Sequence, residues 1–551
     1  MQKEESVMNP VSRSGRLLVI GLDGATFDLL VPWAESGRMP NLARLMATSA
    51  RAVVNSTRPY ITPVAWTTFQ TGCEPHEHGI LDYRYLDHRH RRVLLNHAGR
   101  IGRPTLFDAV SAAGGEVVSL NLPMTFPAPS SVRGIVVGGL DSPSIDAALA
   151  PYPEFARELR ATGARFDLGT VWRNKPRTFE ELSQGIDETA SIFRGQATAA
   201  AVADRMTDWQ LMFVQLQVLD SLQHRCWQWL DPRQGSTAEL WMSKAQQALR
   251  ALDDCLGELM ELAARRDAAV VAVSDHGFGP FRGKITLAEI LSRAGLLCWP
   301  RGGPAASYYL RHGVWRLRKF LYRRFNPGWS TAQLTRPLGT LLPIDWRRST
   351  ALALHGNLGG LIYLNTRERF ASGPLKTAAQ RERALVDVIQ AFETAAHPQT
   401  GEPLFVEVFG TAERYGIDPV EKLWPDVVAI PAAGFHTRHK FDAPPQLLRT
   451  DPAMAATHRL EGVLLLHAPR VAAGAYRPAE LRDVAPTLLQ MLGLRVPGHM
   501  SGQALSDLLS GGARRTSPKP RAEPRELQLA GITDADQRSV EARLRDLGYL
   551  D

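Results

Sequence analysis

Three short stretches place oxygen and imidazole donors where chemistry could be done. "GLDGATFD" sets Asp23 at the end of an apolar run, with Gly24 permitting a tight turn. "VLDSLQH" holds Asp220 and His224 four residues apart, a spacing that puts both on one side of a helical turn. "VSDHGFGP" ends an almost wholly apolar run in Asp275 and His276. A divalent metal pair that handles phosphate needs carboxylates and neutral imidazoles brought from several strand ends to points ~4 Å apart. Strand-end aspartates also serve as ordinary turn formers, and a surface Asp/His pair has the same form as Asp220/His224. Asp275 and His276, with no local charge partner, are the pair that demands an explanation, and metal binding provides one. The stretch "TPVAWTTFQTGCEPHEHGI", residues 62–80, leaves two readings open. Thr62 is either a catalytic hydroxyl leading a helix or that helix's N-cap, with Pro63 in the first turn. Thr67 and Thr68 lie deeper and read as packing or back-bonded hydroxyls.

The elements that must position these groups are apolar, β-branched runs set between amphipathic segments: "RLLVIGLD", "EVVSLNL", "GIVVGG", "LMFVQLQVLD", "AAVVAVSDHG", "PDVVAIP" and "EGVLLLH". Buried strands alternating with helices predict an α/β fold, a mostly parallel central sheet with helices on both faces. Ligands of such sheets gather at the carboxyl ends of strands, and Asp23, Asp220 and Asp275 all follow one of these runs. The 551 residues suffice for a large α/β domain with insertions, and 44% hydrophobic with 22% charged residues is a globular balance. Four cysteines without a CxxC pair exclude a zinc ribbon or a disulfide scaffold. The N-terminal residues show no secretory pattern, and no run reaches the ~18 apolar residues of a membrane span. A cytoplasmic location is therefore expected, with peripheral contact at the inner membrane surface as its variant.

The net charge of +8 invites a nucleic-acid reading until the charges are located. Between Leu291 and Thr350 eleven Arg/Lys face one acid, Asp345, so this segment alone carries more than the net charge of the chain. Residues 291–345 are accordingly read as a basic helical insertion within a catalytic domain made of 1–290 and 346–510. In 307–329, Leu310, Val314, Leu317 and Leu321 fall at helical spacing, with Arg311, Arg318, Lys319 and Arg324 mostly elsewhere. A helix packed on the main domain with a solvated basic face is the plain reading. A membrane-surface helix or a patch for an anionic substrate is the sharper one, and no specific nucleic-acid binding is expected. Residues 511–530 read as a Gly/Pro/charged linker. Residues 531–551 read as a C-terminal helix capped by Thr533 or Asp534, a docking or partner-binding tail.

Taken in order, Asp23 in "GLDG", Thr62 ahead of "PVAW…TGCEPHEHGI", Asp220/His224, "SDHGFGP" and His458 in "THRLEGVLLL" resemble the alkaline phosphatase superfamily. They are most similar to its type I phosphodiesterase/nucleotide pyrophosphatase branch and the related predicted phosphohydrolase/phosphomutase group. The resemblance runs from about Leu17 to Leu508. It implies that Asp220, His224 and His458 hold one metal while Asp23, Asp275, His276 and the Thr62 oxygen hold another. Zinc is the implied metal, and manganese the alternative. It also implies that Thr62, nine residues before Thr71, is the nucleophile, favoured by the helix N-terminus it leads. Asn121 and Thr125 become candidate substrate contacts, and His436 is the runner-up to His458. One departure matters: Pro63, Val64 and Ala65 stand where close nucleotide pyrophosphatases carry an aromatic residue and then Pro-Asn, which weakens transfer of a nucleotide preference.

The expected activity is a two-metal phosphohydrolase that cleaves phosphate esters, diesters in preference, through a covalent phosphothreonine. Its substrate would be a nucleotide, lipid-linked or sugar phosphate ester. A phosphomutase or phospho-headgroup transferase of the same fold is the alternative, and a non-catalytic scaffold binding a phosphorylated partner is the third reading.

Overall fold

The structure, a computed structural model, describes residues 15–89, 92–300, 344–439, 446–509 and 532–550, except Thr170, Arg173, residues 235–238, His355, Asn357, Arg470 and Gly548. The core of the expected basic insertion, with 307–329, and the 511–530 linker lie outside these residues. Among the described residues, no helix is long and apolar enough to cross a membrane. The chain divides into two compact units. The first takes residues 1–80, 96–281 and 452–548, and the second takes 81–95, 282–451 and 549–551. The second unit thus extends on both sides of the 291–345 segment.

The first unit is built on an eight-stranded sheet. Its strands are β1 (Leu17–Gly21), β2 (Ala50–Asn55), β3 (Glu116–Leu122), β4 (Gly134–Gly138), β5 (Trp209–Gln215), β6 (Ala269–Val273), β9 (Glu461–His467) and β10 (Tyr476–Glu480), and two short strands, β7 (Gly277–Pro280) and β8 (Ala456–Arg459), pair beside it. The order is β10-β2-β9-β6-β1-β5-β3-β4. β4, β3, β5, β1 and β6 are mutually parallel, while β9 runs against both its neighbours. β1 shows why apolar runs make central strands: Leu18 and Ile20 enter one core and Leu17 and Val19 the other, all buried. Helices on one face, including α2 (Phe179–Met206), α3 (Val218–Leu230) and α4 (Glu239–Arg265), supply the larger core. α1 (Thr62–Thr71) and α5 (Val484–Met491) supply the smaller core on the other face. The C-terminal helix, α6 (Asp534–Leu547), starts at Thr533, whose hydroxyl accepts from Asp536 N at 3.2 Å, and buries Val540, Leu544 and Leu547.

Of the seven apolar runs, six are strands of this sheet. "PDVVAIP" instead supplies Val427–Pro431 of a separate antiparallel sheet in the second unit, beside Gly360–Leu364 and Phe405–Gly410. An apolar run buried on both faces reads alike in either sheet, because periodicity carries neither partner nor direction. β2 and β10 escape that search for different reasons. β2 alternates buried and half-buried residues, and β10 is an exposed edge with Pro478.

Candidate active site

Asp23, Thr62, Asp220, Asp275 and His276 all lie just beyond the carboxyl ends of β1, β2, β5 and β6, and His224 follows one turn along α3. His458 comes from β8, which pairs antiparallel with β7 and places His458 opposite Phe278. Gly24 adopts φ +68, and a Cβ there would stand 2.6 Å from the Phe278 ring, so the turn after Asp23 requires glycine. Its N–H donates to Asp275 Oδ1 at 3.2 Å.

Asp23 and Asp275 are each held by one oxygen. Asp23 Oδ2 accepts from Gln215 Nε2 at 2.7 Å and from Trp66 Nε1 at 2.9 Å, while Oδ1 is buried without a hydrogen-bond partner, 3.7 Å from His276 Nε2. Asp275 Oδ2 is likewise buried without a hydrogen bond and lies 3.3 Å from His276 Nε2. Asp220 Oδ1 stands 3.1 Å from His458 Nε2 and 3.6 Å from His224 Nε2.

The three imidazoles are turned the same way. Nδ1 of His224 faces Ala456 O at 2.9 Å, that of His276 faces Gly277 O at 3.1 Å, and that of His458 faces Tyr60 O at 3.3 Å. A carbonyl only accepts, so Nδ1 carries the hydrogen in each ring and the Nε2 lone pair points into the cluster. His224 and His458 thereby set two Nε2 atoms 3.1 Å apart.

Electrostatics make the arrangement costly by itself. Burial, then Asp275 and Asp220, hold Asp23 well above the usual carboxylate range, and burial followed by Asp220 does the same to Asp275. Burial also works to raise Asp220, and only a proton on His224 or His458 reverses this and pulls the carboxyl down. Burial lowers His224 to about 4 and His276 well below its ordinary value, keeping both neutral. Converging lone pairs and half-used carboxylates are what a divalent cation compensates. Among the described residues, two groups bring ligand atoms within 4.8 Å of one another: Asp220, His224 and His458, and Asp23, Asp220 and His276. The second takes Asp220 where the resemblance implied Asp275, so Asp220 stands at the junction of both.

Thr62 occupies the first turn of α1 and does not cap it. The N-cap is Ile61, whose carbonyl accepts from Val64 N and Ala65 N, and the buried Thr62 Oγ1 has no hydrogen-bond partner. Thr67 and Thr71 bond back to Pro63 O and Thr67 O at 2.6 and 2.7 Å, and Thr68 Oγ1 pairs with His78 Nε2 at 3.0 Å. His78 is buried and structural, its Nδ1 accepting from Ile80 N.

The two substrate-contact candidates separate. Thr125 spends its hydroxyl on Leu122 O at 2.6 Å. Asn121 sits at φ 65, fully buried, and both its amide atoms lack hydrogen-bond partners. His436 lies on Phe435–Arg438 in the second unit, whereas His458 joins the cluster. Sequence reasoning missed Trp66 and Gln215, which orient Asp23. The signal for Gln215 was a lone amide closing the apolar run "LMFVQ", and that for Trp66 its position one helical turn beyond Thr62.

The family model "Type I phosphodiesterase / nucleotide pyrophosphatase" matches residues 17–322. No curated protein sequence matches the chain. Among solved structures, human ectonucleotide pyrophosphatase/phosphodiesterase 5 is similar at 14% identity and a TM-score of 0.48, covering 90% of this chain and 100% of its own. The inactive murine protein of the same name, in complex with AMP, is similar at 13% identity with the same TM-score and the same coverage.

Proposed function

This chain belongs to the type I phosphodiesterase/nucleotide pyrophosphatase family of the alkaline phosphatase superfamily, hydrolases of phosphate esters, and on that premise we propose that it cleaves phosphodiesters through a phosphothreonine on Thr62. The observation that supports this most is the pairing of an idle, buried hydroxyl at a helix start with a cluster of donors turned inward at the same end of the sheet. Asp220, His224 and His458 would hold one divalent ion, and Asp23, Asp275 and His276 with Thr62 a second. Zinc suits these N/O donors, with manganese as the competitor. When bound, such ions lower the pKa of a coordinated hydroxyl or water and balance charge on phosphoryl oxygens.

The chain's own residues do the rest. Trp66 and Gln215 fix Asp23 by one oxygen so that the other faces the cluster. The carbonyls of Ala456, Gly277 and Tyr60 fix the tautomer of each histidine. Thr62 Oγ1 carries no hydrogen bond that must break before it attacks phosphorus, and the N-terminus of α1 favours the alkoxide and the anion it meets. Attack expels one alcohol and leaves the other esterified to the phosphorus now bound to Thr62, and water then releases that phosphomonoester and restores the hydroxyl.

The test is hydrolysis of bis(4-nitrophenyl) phosphate and 4-nitrophenyl phosphate by metal-reconstituted wild type and Thr62→Ala. A diester preference abolished in the variant is expected. Transfer of phosphate to an added alcohol without net hydrolysis would favour a transferase, and failure to bind metal would remove the catalytic reading.

A further inference from the structure

Buried polar atoms without hydrogen bonds recur at the carboxyl ends of β5, β3 and β4, beside the candidate ligand cluster. Gln215 uses its Nε2 on Asp23, but its Oε1 is buried without a hydrogen bond. In the neighbouring β3, Leu120 pairs with Val214, so Asn121 follows beside Gln215, and its amide is idle as well. Beyond β4, the turn through residues 139–142 closes on Asn121. A Cβ on Gly139 would lie 2.6 Å from Asn121 O, and Asp141 Oδ1 accepts from Met124 N at 3.0 Å. Asp141 Oδ2 and Ser142 Oγ are then left buried without hydrogen bonds. Asn121 and Met124 also hold φ near +65, a backbone cost that clusters at functional positions. The turn is fixed from α6, where Arg543 donates to the carbonyls of Leu140, Ser142 and Pro143.

We propose that Gln215, Asn121, Asp141 and Ser142 form a subsite for a hydroxyl-rich alcohol, such as a glyceryl group, of the phosphodiester. The inference rests on the hydrolase reading above and names its substrate class. Acceptors dominate this set, which disfavours a second phosphate. The Asn121 amide also offers N–H donors that an ammonium group cannot use, whereas a hydroxyl both donates and accepts. Burial pushes Asp141 up to about 6, so near neutrality this group exchanges readily between donor and acceptor forms.

The experiment compares 4-nitrophenyl phosphodiesters whose second alcohol is methanol, glycerol or 2-aminoethanol. Wild type, Ser142→Ala and Asn121→Gly are used, because glycine accepts the positive φ and neither change removes a bond of the free protein. Wild type should prefer the glyceryl ester, and each variant should lower the glyceryl-to-methyl ratio of kcat/KM by roughly 5- to 20-fold, without a fall in Tm. An unchanged ratio, a preference for the aminoethyl ester, or a fall in Tm with equal loss on all esters overturns the subsite. In the last case these atoms serve buried water. Thermal shift with glycerol phosphate against methyl phosphate reads the subsite without turnover. A larger shift in wild type that the variants erase, with no ester hydrolysed, would sink the hydrolase reading and keep the subsite. No difference in shift overturns the subsite.

Discussion

Thr62→Val separates catalysis from folding at one atom. Valine keeps the shape of threonine and removes Oγ1, which is buried and makes no hydrogen bond. A buried hydroxyl without a partner costs about 1–3 kcal/mol of desolvation, so deleting it should stabilise the metal-free protein by that amount. For a unit of this size the gain corresponds to a Tm rise of roughly 2 °C per kcal/mol. The N-cap carbonyl of Ile61 and the helix bonds are untouched, so no opposing loss is expected. With metal the order reverses, because the wild type gains a ligand that valine lacks, and that extra affinity appears as RT ln(1 + [L]/Kd). Diester hydrolysis should fall by at least about 10³-fold. The assay is thermal unfolding of chelator-treated and zinc-loaded wild type and variant, with bis(4-nitrophenyl) phosphate turnover on the same samples. A metal-free variant less stable than wild type, or one that retains hydrolysis, would refute the reasoning.

Trp66→Phe removes the Nε1 donor to Asp23 while a phenyl ring keeps the edge contacts with Phe69 and Phe213. Metal affinity should weaken by about 10- to 100-fold in a chelator competition titration. Arg225, next to His224, donates to Ala453 O at 2.8 Å and to Leu547 O at 3.0 Å, so α6 braces the segment bearing Asp220 and His224. Leu544→Ala, at a fully buried position of α6, should lower the urea midpoint by the equivalent of about 2–5 kcal/mol if α6 unfolds with the rest. The same titration should show weaker metal binding, and unchanged affinity would mean that α6 does not brace the site. Burial lowers His78 to about 3, so it stays neutral in the fold while the unfolded chain takes up a proton below its ordinary 6.5. Its contribution is complete above pH 6.5 and is lost as pH falls toward 3, by up to about 1.4 kcal/mol per unit. Urea midpoints of His78→Asn between pH 7.5 and 5 should fall less steeply than those of wild type, and parallel slopes would contradict this.

The sheet and most of its strands were legible because burial on both faces writes an apolar run. Asp23, Asp220 and Asp275 were legible because a carboxylate at the end of such a run is conspicuous. Trp66 and Gln215 were not, since their roles depend on contacts between residues up to 192 positions apart in the chain. The N-cap shows the other limit: Thr62 followed by proline has the form of a cap, and only its idle hydroxyl with Ile61 in the capping position separates the readings. Asp141 and Ser142 carry no pattern at all, because being buried without a partner is a property of the folded turn.

His458 depends on a feature that hydrophobic patterning cannot express. Asp23, Asp220, Asp275 and His276 follow the parallel strands β1, β5 and β6, so the rule that ligands gather at strand carboxyl ends locates them. His458 instead lies on the short β8 and precedes β9, the sheet strand beside it, which by that rule would put it at the far end of the sheet. β9 is antiparallel to β6 and β2, and that reversal brings its amino end to the carboxyl ends of its neighbours. The run "EGVLLLH" reads the same in either direction, so the residues alone could not choose His458 over His436. The family resemblance could, because it preserves the order of motifs along the chain and with it the reversed strand. A histidine placed by Arg459 and Leu460 just ahead of β9 reaches Asp220 at 3.1 Å, whereas one at the other end of the same strand, His467, bonds Thr48 O at 3.1 Å, away from every ligand.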